Sequence, residues 1–98
     1  TFFVSWRILH LKIRELLTDK LKWAQFTIAR DKNNNPISYD NENATCWCLV
    51  GAICKCYLTY RYDIADKIKE KLQITSIGNW NDVVTFQEVR NLIEELDI

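Results

Sequence analysis

Ninety-eight residues, with thirteen basic and thirteen acidic side chains, describe one small domain (1–98) with no formal net charge. That balance excludes the broad basic footprint by which proteins hold nucleic acid or anionic lipid. No stretch reaches the ~20 consecutive apolar residues of a membrane span.

In chain order, Phe2-Phe3-Val4-Ser5-Trp6-Arg7 is apolar but interrupted too soon for a signal-peptide core, and no basic region precedes it. A cytoplasmic setting is therefore expected. Trp6, Leu9, Ile13, Leu16 and Leu17 recur at helical spacing, with charged residues largely off the stripe, and predict an amphipathic helix over 4–20. Thr18-Asp19-Lys20 ends it. His10, the only histidine, lies beside the stripe. Phe26 to Arg30 alternates in a β-compatible way, and Asp31 to Pro36 is turn chemistry, since Asn tolerates positive φ and Pro blocks helix. With Ile37-Ser38-Tyr39 returning, a β-hairpin is expected, and it must pack on helices to be stable. Residues 40–43 form a polar connector.

The run over 43–56 is the most apolar in the chain and holds all four cysteines. Read as a helix it is apolar almost all round, which marks a buried, central element near 44–57, with Asn41 or Asn43 as its N-cap. Gly51 costs about 1 kcal/mol of helix propensity relative to Ala, so another element is expected to approach the backbone closely there. Cys48, Gly51 and Ala52 are assigned to the core. Four cysteines on one predicted helix cannot staple distant parts of the chain, so reduced, mostly buried thiols are expected. Beyond this run come three tyrosines (Tyr57, Tyr60, Tyr62), then a helix capped by Asp63 with Ile64, Ala65, Ile68 and Leu72 on one face. A loop is expected over 73–84. Thr85 and Glu88 then read as a capping box for a last helix whose apolar face is Phe86, Val89, Leu92, Ile93 and Leu96. The fold class is α+β, mainly α: a buried central helix, about three amphipathic helices around it, and one hairpin.

Three local motifs coincide in order and spacing. Trp23-x-Gln25 precedes Ala29-Arg30-Asp31 and an Asn-rich turn. Ala44-x-Cys46-Trp47-Cys48-Leu49-x-Gly51-Ala52 follows, and Trp80-Asn81-Asp82 leads to Thr85 and Glu88-Val89. From about Ile8 to Leu96 the chain resembles domain-of-unknown-function family 6197, small bacterial and phage proteins. The resemblance supplies no activity, so it gives context without a mechanism; no cofactor is expected. Two positions depart from it: family members usually have a Gly after the Gln, where this chain has Phe26, and a longer linker with Pro and Arg where this chain has only Val83-Val84.

Chemistry is sparse. Cys46, followed by Trp47 near the predicted helix start, is the candidate nucleophile, because a helix N-terminus favours the thiolate. It would still need a histidine base, and only His10 is available. Cys46, Cys48, Cys54 and Cys56 form a C-x-C pair of pairs that could bind zinc only from an irregular segment, and no metal is expected. Arg30, Asp31, Trp80, Asn81 and Asp82 form the candidate ligand or partner site, weighed against a reading in which they cap and plug the fold. The leading expectation is a non-enzymatic interaction or regulatory module, with a protein partner or self-association through surplus aromatics: Tyr57, Tyr60, Tyr62, or a Phe2/Phe3/Trp6 patch. The alternatives are a cysteine hydrolase using Cys46, or a small-molecule binder at Arg30/Asp31 and Asn81/Asp82.

Overall fold

The computed structural model describes residues 11–98. The first half of the expected 4–20 helix, His10 and the Phe2/Phe3/Trp6 patch lie outside the described residues. Within them the fold is α+β and mainly α, with five α-helices and a two-stranded antiparallel sheet.

Helix α1 is short, Ile13–Leu16, with Ile13 and Leu17 fully buried. It does not run on to residue 20. Leu17 leaves helical geometry at ψ 62°, and the Asp19 carboxylate accepts from the Leu21 amide (2.9 Å) to start a separate 3-10 turn, Lys20–Lys22. Arg90, from the last helix, donates to the carbonyls of Arg14 (2.6 Å) and Leu17 (3.1 Å) and so satisfies the open end of α1.

The sheet corrects the expected hairpin. The Asp31–Asn35 turn forms as read: the Asp31 carboxylate accepts from the amides of Asn33 and Asn35 (both 2.9 Å), and Asn34 takes a positive φ of 67°. The return arm gives one isolated bridge, Arg30 to Pro36, carried by the Asp31 amide on the Asn35 carbonyl (2.9 Å) and the Ile37 amide on the Ala29 carbonyl (3.1 Å), before the chain leaves in a turn where the Ser38 carbonyl accepts from the Asn41 amide (3.2 Å). The real partner of β1 (Ala29–Asp31) is β2 (Ala44–Trp47), in the register Ala29 to Trp47, Arg30 to Cys46 and Asp31 to Ala44, with a bulge after Arg30. The apolar run thus begins as a strand. Asn41 caps the turn leading into β2, accepting from the Asn43 amide (2.8 Å), and caps no helix.

The central helix, α2, is Leu49–Tyr57, with Leu49, Gly51, Ala52, Ile53, Cys54 and Cys56 buried. Cys48 is its N-cap: the thiol accepts from the Gly51 amide at 3.3 Å. Leu58, at φ 65°, ends it. Cys48, Gly51 and Ala52 lie in the core as assigned. The close approach at Gly51 is real: a Cβ there would stand 2.2 Å from the Ile28 carbonyl oxygen. That same carbonyl accepts from the Cys48 amide (3.2 Å), so the segment entering β1 crosses the first turn of α2 in backbone contact.

Helix α3 (Tyr62–Leu72) buries Ile64, Ala65 and Ile68 and turns its lysines outward. Its N-cap is Arg61; Asp63 sits in the first turn, gripped by the Arg61 guanidinium at 2.7 and 2.9 Å. The expected loop over 73–84 contains a helix, α4 (Ile77–Asn81), capped by the Ser76 hydroxyl, which accepts from the Asn79 amide (3.2 Å). Helix α5 (Phe86–Glu95) starts at Thr85, whose hydroxyl accepts from the Glu88 amide (3.2 Å), and it buries Val89, Leu92 and Ile93. One apolar cluster joins α1, both strands and α2 to α5. Among the described residues no helix is long and apolar enough to cross a membrane.

Gly51→Ala should therefore cost stability despite the better helix propensity of alanine. The added methyl forces the Ile28 backbone away, and overpacking of this kind costs about 1–3 kcal/mol against a propensity gain of about 1 kcal/mol at most. Urea unfolding should show a lower midpoint with an unchanged slope.

Candidate functional site

The polar residues at the end of α4 are organised around Asn81, the one polar side chain among the described residues with no exposed surface at all. Its Oδ1 accepts from the Trp23 indole N–H (2.8 Å) and from the Leu49 amide (3.0 Å). Its Nδ2 donates to the Ala24 carbonyl (3.0 Å) and to Asp82 Oδ1 (3.1 Å). Two lone pairs and two N–H groups are all a carboxamide has, so its capacity is filled. The Leu49 bond has a particular use. Leu49 is the first residue of α2, and its amide is one of the helix's orphan donors. Asn81 caps that helix from a distant part of the chain, alongside the weak thiol cap of Cys48.

The loop over 23–28 is tied to the same place. The Gln25 side chain donates to the carbonyls of Asn81 (3.1 Å) and Val84 (3.2 Å). The Phe26 amide donates to Asp82 Oδ1 (2.9 Å). Arg30 reaches the loop from the other side, donating to the Gln25 carbonyl (3.0 Å), and also to the Asn34 carbonyl (3.3 Å). The Ala24 amide extends the sheet edge by donating to the Trp47 carbonyl (3.0 Å).

Phe26 is the odd member of this loop. Its φ is 68°, in the left-handed region, and its side chain is 75% exposed. Val83, next to Asp82, is 81% exposed, and Ile28 is partly exposed as well. Next to this loop a small groove of about 190 Å³ is lined by Thr27, Ile28, Cys48, Val50, Gly78 and Asp82, while Val83 borders a different depression with Asn79 and Trp80.

Of the five residues expected from sequence, Arg30, Asn81 and Asp82 meet at this loop. Asp31 is turned to the Asp31–Asn35 turn and lines a separate depression with Lys32, Asn33, Glu42, Asn43 and Thr45. Trp80 packs half-buried on the core and borders another depression, beside Leu72, Glu88 and Leu92. Sequence reasoning missed Ile28, Val50 and Gly78 as groove lining, and Phe26 as the exposed residue of positive φ in the adjoining loop. A bulky residue directly before Thr27, in a segment that reads as strand, carries no local signal that its φ will be positive; the hint is the Gly that the resemblance leads one to expect at this position.

The thiols have their own geometry. Cys46 lies in β2, not at a helix start, so the amides that would favour its thiolate are not there. The cysteine at the helix start is Cys48. Burial pushes its thiol above the ordinary value, the nearby Asp82 charge adds to this, and the Gly51 and Val50 amides only partly oppose it. Burial likewise raises Cys54, and pushes Cys56 to about 12. All four cysteines are free. Among the described residues no three or more Cys, His, Asp or Glu side chains gather where they could hold a metal ion. On the far end of α2, Tyr60 and Tyr62 meet edge to face (4.9 Å between centroids), and the Arg61 guanidinium lies 5.5 Å over the Tyr57 ring.

No family model, curated protein or solved structure matches the chain.

Asn81→Ala should be among the most damaging substitutions in the domain. It orphans the Trp23 indole N–H, the Leu49 amide and the Ala24 carbonyl, each worth roughly 1–3 kcal/mol when left buried without a partner. A loss of about 4 kcal/mol is expected in chemical unfolding, far beyond the roughly 0.5 kcal/mol of an ordinary surface substitution.

Proposed function

We propose that this chain is a non-enzymatic interaction module that presents the Phe26 loop to a protein partner. The observation that carries the reading is the state of Phe26. A left-handed backbone costs a bulky L-residue about 1–2 kcal/mol, and such strain persists only where the surroundings over-determine it. Here the Asp82 carboxylate, the Gln25 clamp and Arg30 do so. The side chain held this way is three-quarters exposed, so it adds little to the core. An exposed aromatic on a rigid, strained support is the form a binding anchor takes, since aromatics are enriched at interfaces and pre-organisation lowers the cost of binding.

The free, largely buried thiols suit a reducing, cytoplasmic setting, which is part of the same proposal. So is the resemblance to domain-of-unknown-function family 6197 and the phage or mobile-element association it suggests. Self-association through the same loop is the other form the partner could take. The cysteine-hydrolase and small-molecule readings lack a comparable observation: the helix-start thiol is pushed up in pKa, and Asp31 and Asp82 line different depressions.

Phe26→Gly tests the reading. Glycine takes positive φ without strain and keeps the amide that donates to Asp82. The variant should be as stable as the parent or more so, by about 1 kcal/mol, in urea or thermal unfolding. A clear loss of stability would make Phe26 a packing residue and remove the basis of the proposal.

A further inference from the structure

We propose that the groove beside Phe26 docks a protein segment carrying a lysine or arginine next to a bulky apolar residue. The inference rests on the interaction reading and names the chemistry of the partner.

Four observations converge on it. The first is Gly78. Of the two glycines, Gly51 is required by the carbonyl that crosses it. Gly78 has no such reason: its φ is not positive, and a Cβ on it would meet nothing within 4 Å. A glycine inside a helix costs about 1 kcal/mol relative to alanine. What its missing side chain does is leave the groove open on the α4 side. The second is Asp82. Its Oδ1 is taken by the Phe26 amide and Asn81 Nδ2, but among the described residues its other carboxylate oxygen makes no hydrogen bond and no cation reaches it. Arg30, which also reaches this loop, donates to the Gln25 and Asn34 carbonyls instead. Asp82 is thus the one formally charged group lining a groove whose other walls are Thr27, Ile28, Cys48, Val50 and Gly78.

The third is size. About 190 Å³ is below the roughly 300–1,000 Å³ of small-molecule sites and suits one side chain of a docking segment. The fourth is the apolar share of the lining, where Ile28 and Val50 stand in the same groove as Asp82 and Ile28 is partly exposed. Apolar walls beside a single carboxylate are complementary to an apolar residue beside a cation. No cationic side chain lines the groove, and the partly buried carboxylate gains a partner.

The test is selection of a random heptapeptide display library on the intact chain, then fluorescence-polarisation titration of the selected peptides against variants. Selected peptides should carry Lys or Arg beside Leu, Ile, Phe or Met. Asp82→Asn, which keeps the oxygen that accepts from Phe26, should weaken them tenfold or more and flatten their salt dependence. Gly78→Leu, which fills the groove where a Cβ meets open space, should abolish binding while the fold is retained. If Asp82→Asn unfolds the chain, replacing the peptide cation with norleucine gives the same readout on the parent protein. Peptides that bind Asp82→Asn and the parent equally overturn the cation; if Phe26→Gly still weakens them, the interaction reading survives. Failure to select any peptide, or binding indifferent to Gly78→Leu and Phe26→Gly, overturns the proposal together with the reading beneath it.

Discussion

The carboxamide of Asn81 is the interaction on which the rest depends. It sits at the end of a five-residue helix and bonds the Trp23 indole, the Ala24 carbonyl and the first amide of the central helix. Those groups are 32 to 58 residues away in sequence. Buried polar groups are costly when unmet and specifying when fully met. With all four of its bonding positions filled, Asn81 can bring α4, the 23–28 loop and the start of α2 together in only one way. The apolar cluster supplies the bulk of the driving force for folding, while the carboxamide selects the arrangement.

The loop takes its geometry from that arrangement. Asp82, the next residue, is fixed by its bond to Asn81 and in turn holds the Phe26 amide. Gln25 closes the other side on the carbonyls of Asn81 and Val84. A strained backbone at Phe26 is tolerable because these contacts make the strained state the only one compatible with the core. The outcome is an exposed aromatic beside a small groove, held in place by hydrogen bonds from three directions.

Much of the architecture is legible in the residues. The face of α3 through Ile64, Ala65 and Ile68, the Thr85 cap and the face of α5 follow from helical spacing and capping chemistry, both of which are local. Gly51 is legible too, because a glycine in the middle of an apolar helix gives up both propensity and packing unless a neighbour needs the space. The departures share a cause. Residues 44–47 and 49–57 form one apolar run, and a buried strand flowing into a buried helix has no break in hydropathy. The only punctuation is Cys48, a weak and uncommon cap that carries no sequence signal. The strand partner is hidden because pairing β1 with 44–47 instead of 37–39 is a tertiary choice. The near arm makes a single isolated bridge, and Trp47 anchors the far one by donating from its indole to the Tyr39 carbonyl (3.0 Å). Within the candidate site, Asn81 and Asp82 stand out in the sequence as polar residues flanked by apolar ones. Their role as a bolt for the 23–28 loop depends on contacts across more than fifty residues, which no local pattern records.

Amide hydrogen exchange of the folded chain, residue by residue, addresses the central claim directly. First-turn helix amides and amides of exposed loop residues ordinarily exchange quickly, because nothing within the element protects them. If Asn81 and Asp82 hold the site as described, the Leu49 and Phe26 amides exchange as slowly as the core amides of α2, opening only with global unfolding. Rapid exchange at Leu49 and Phe26 beside a protected α2 core would contradict the account, since the loop would then open freely while the rest of the domain stayed folded.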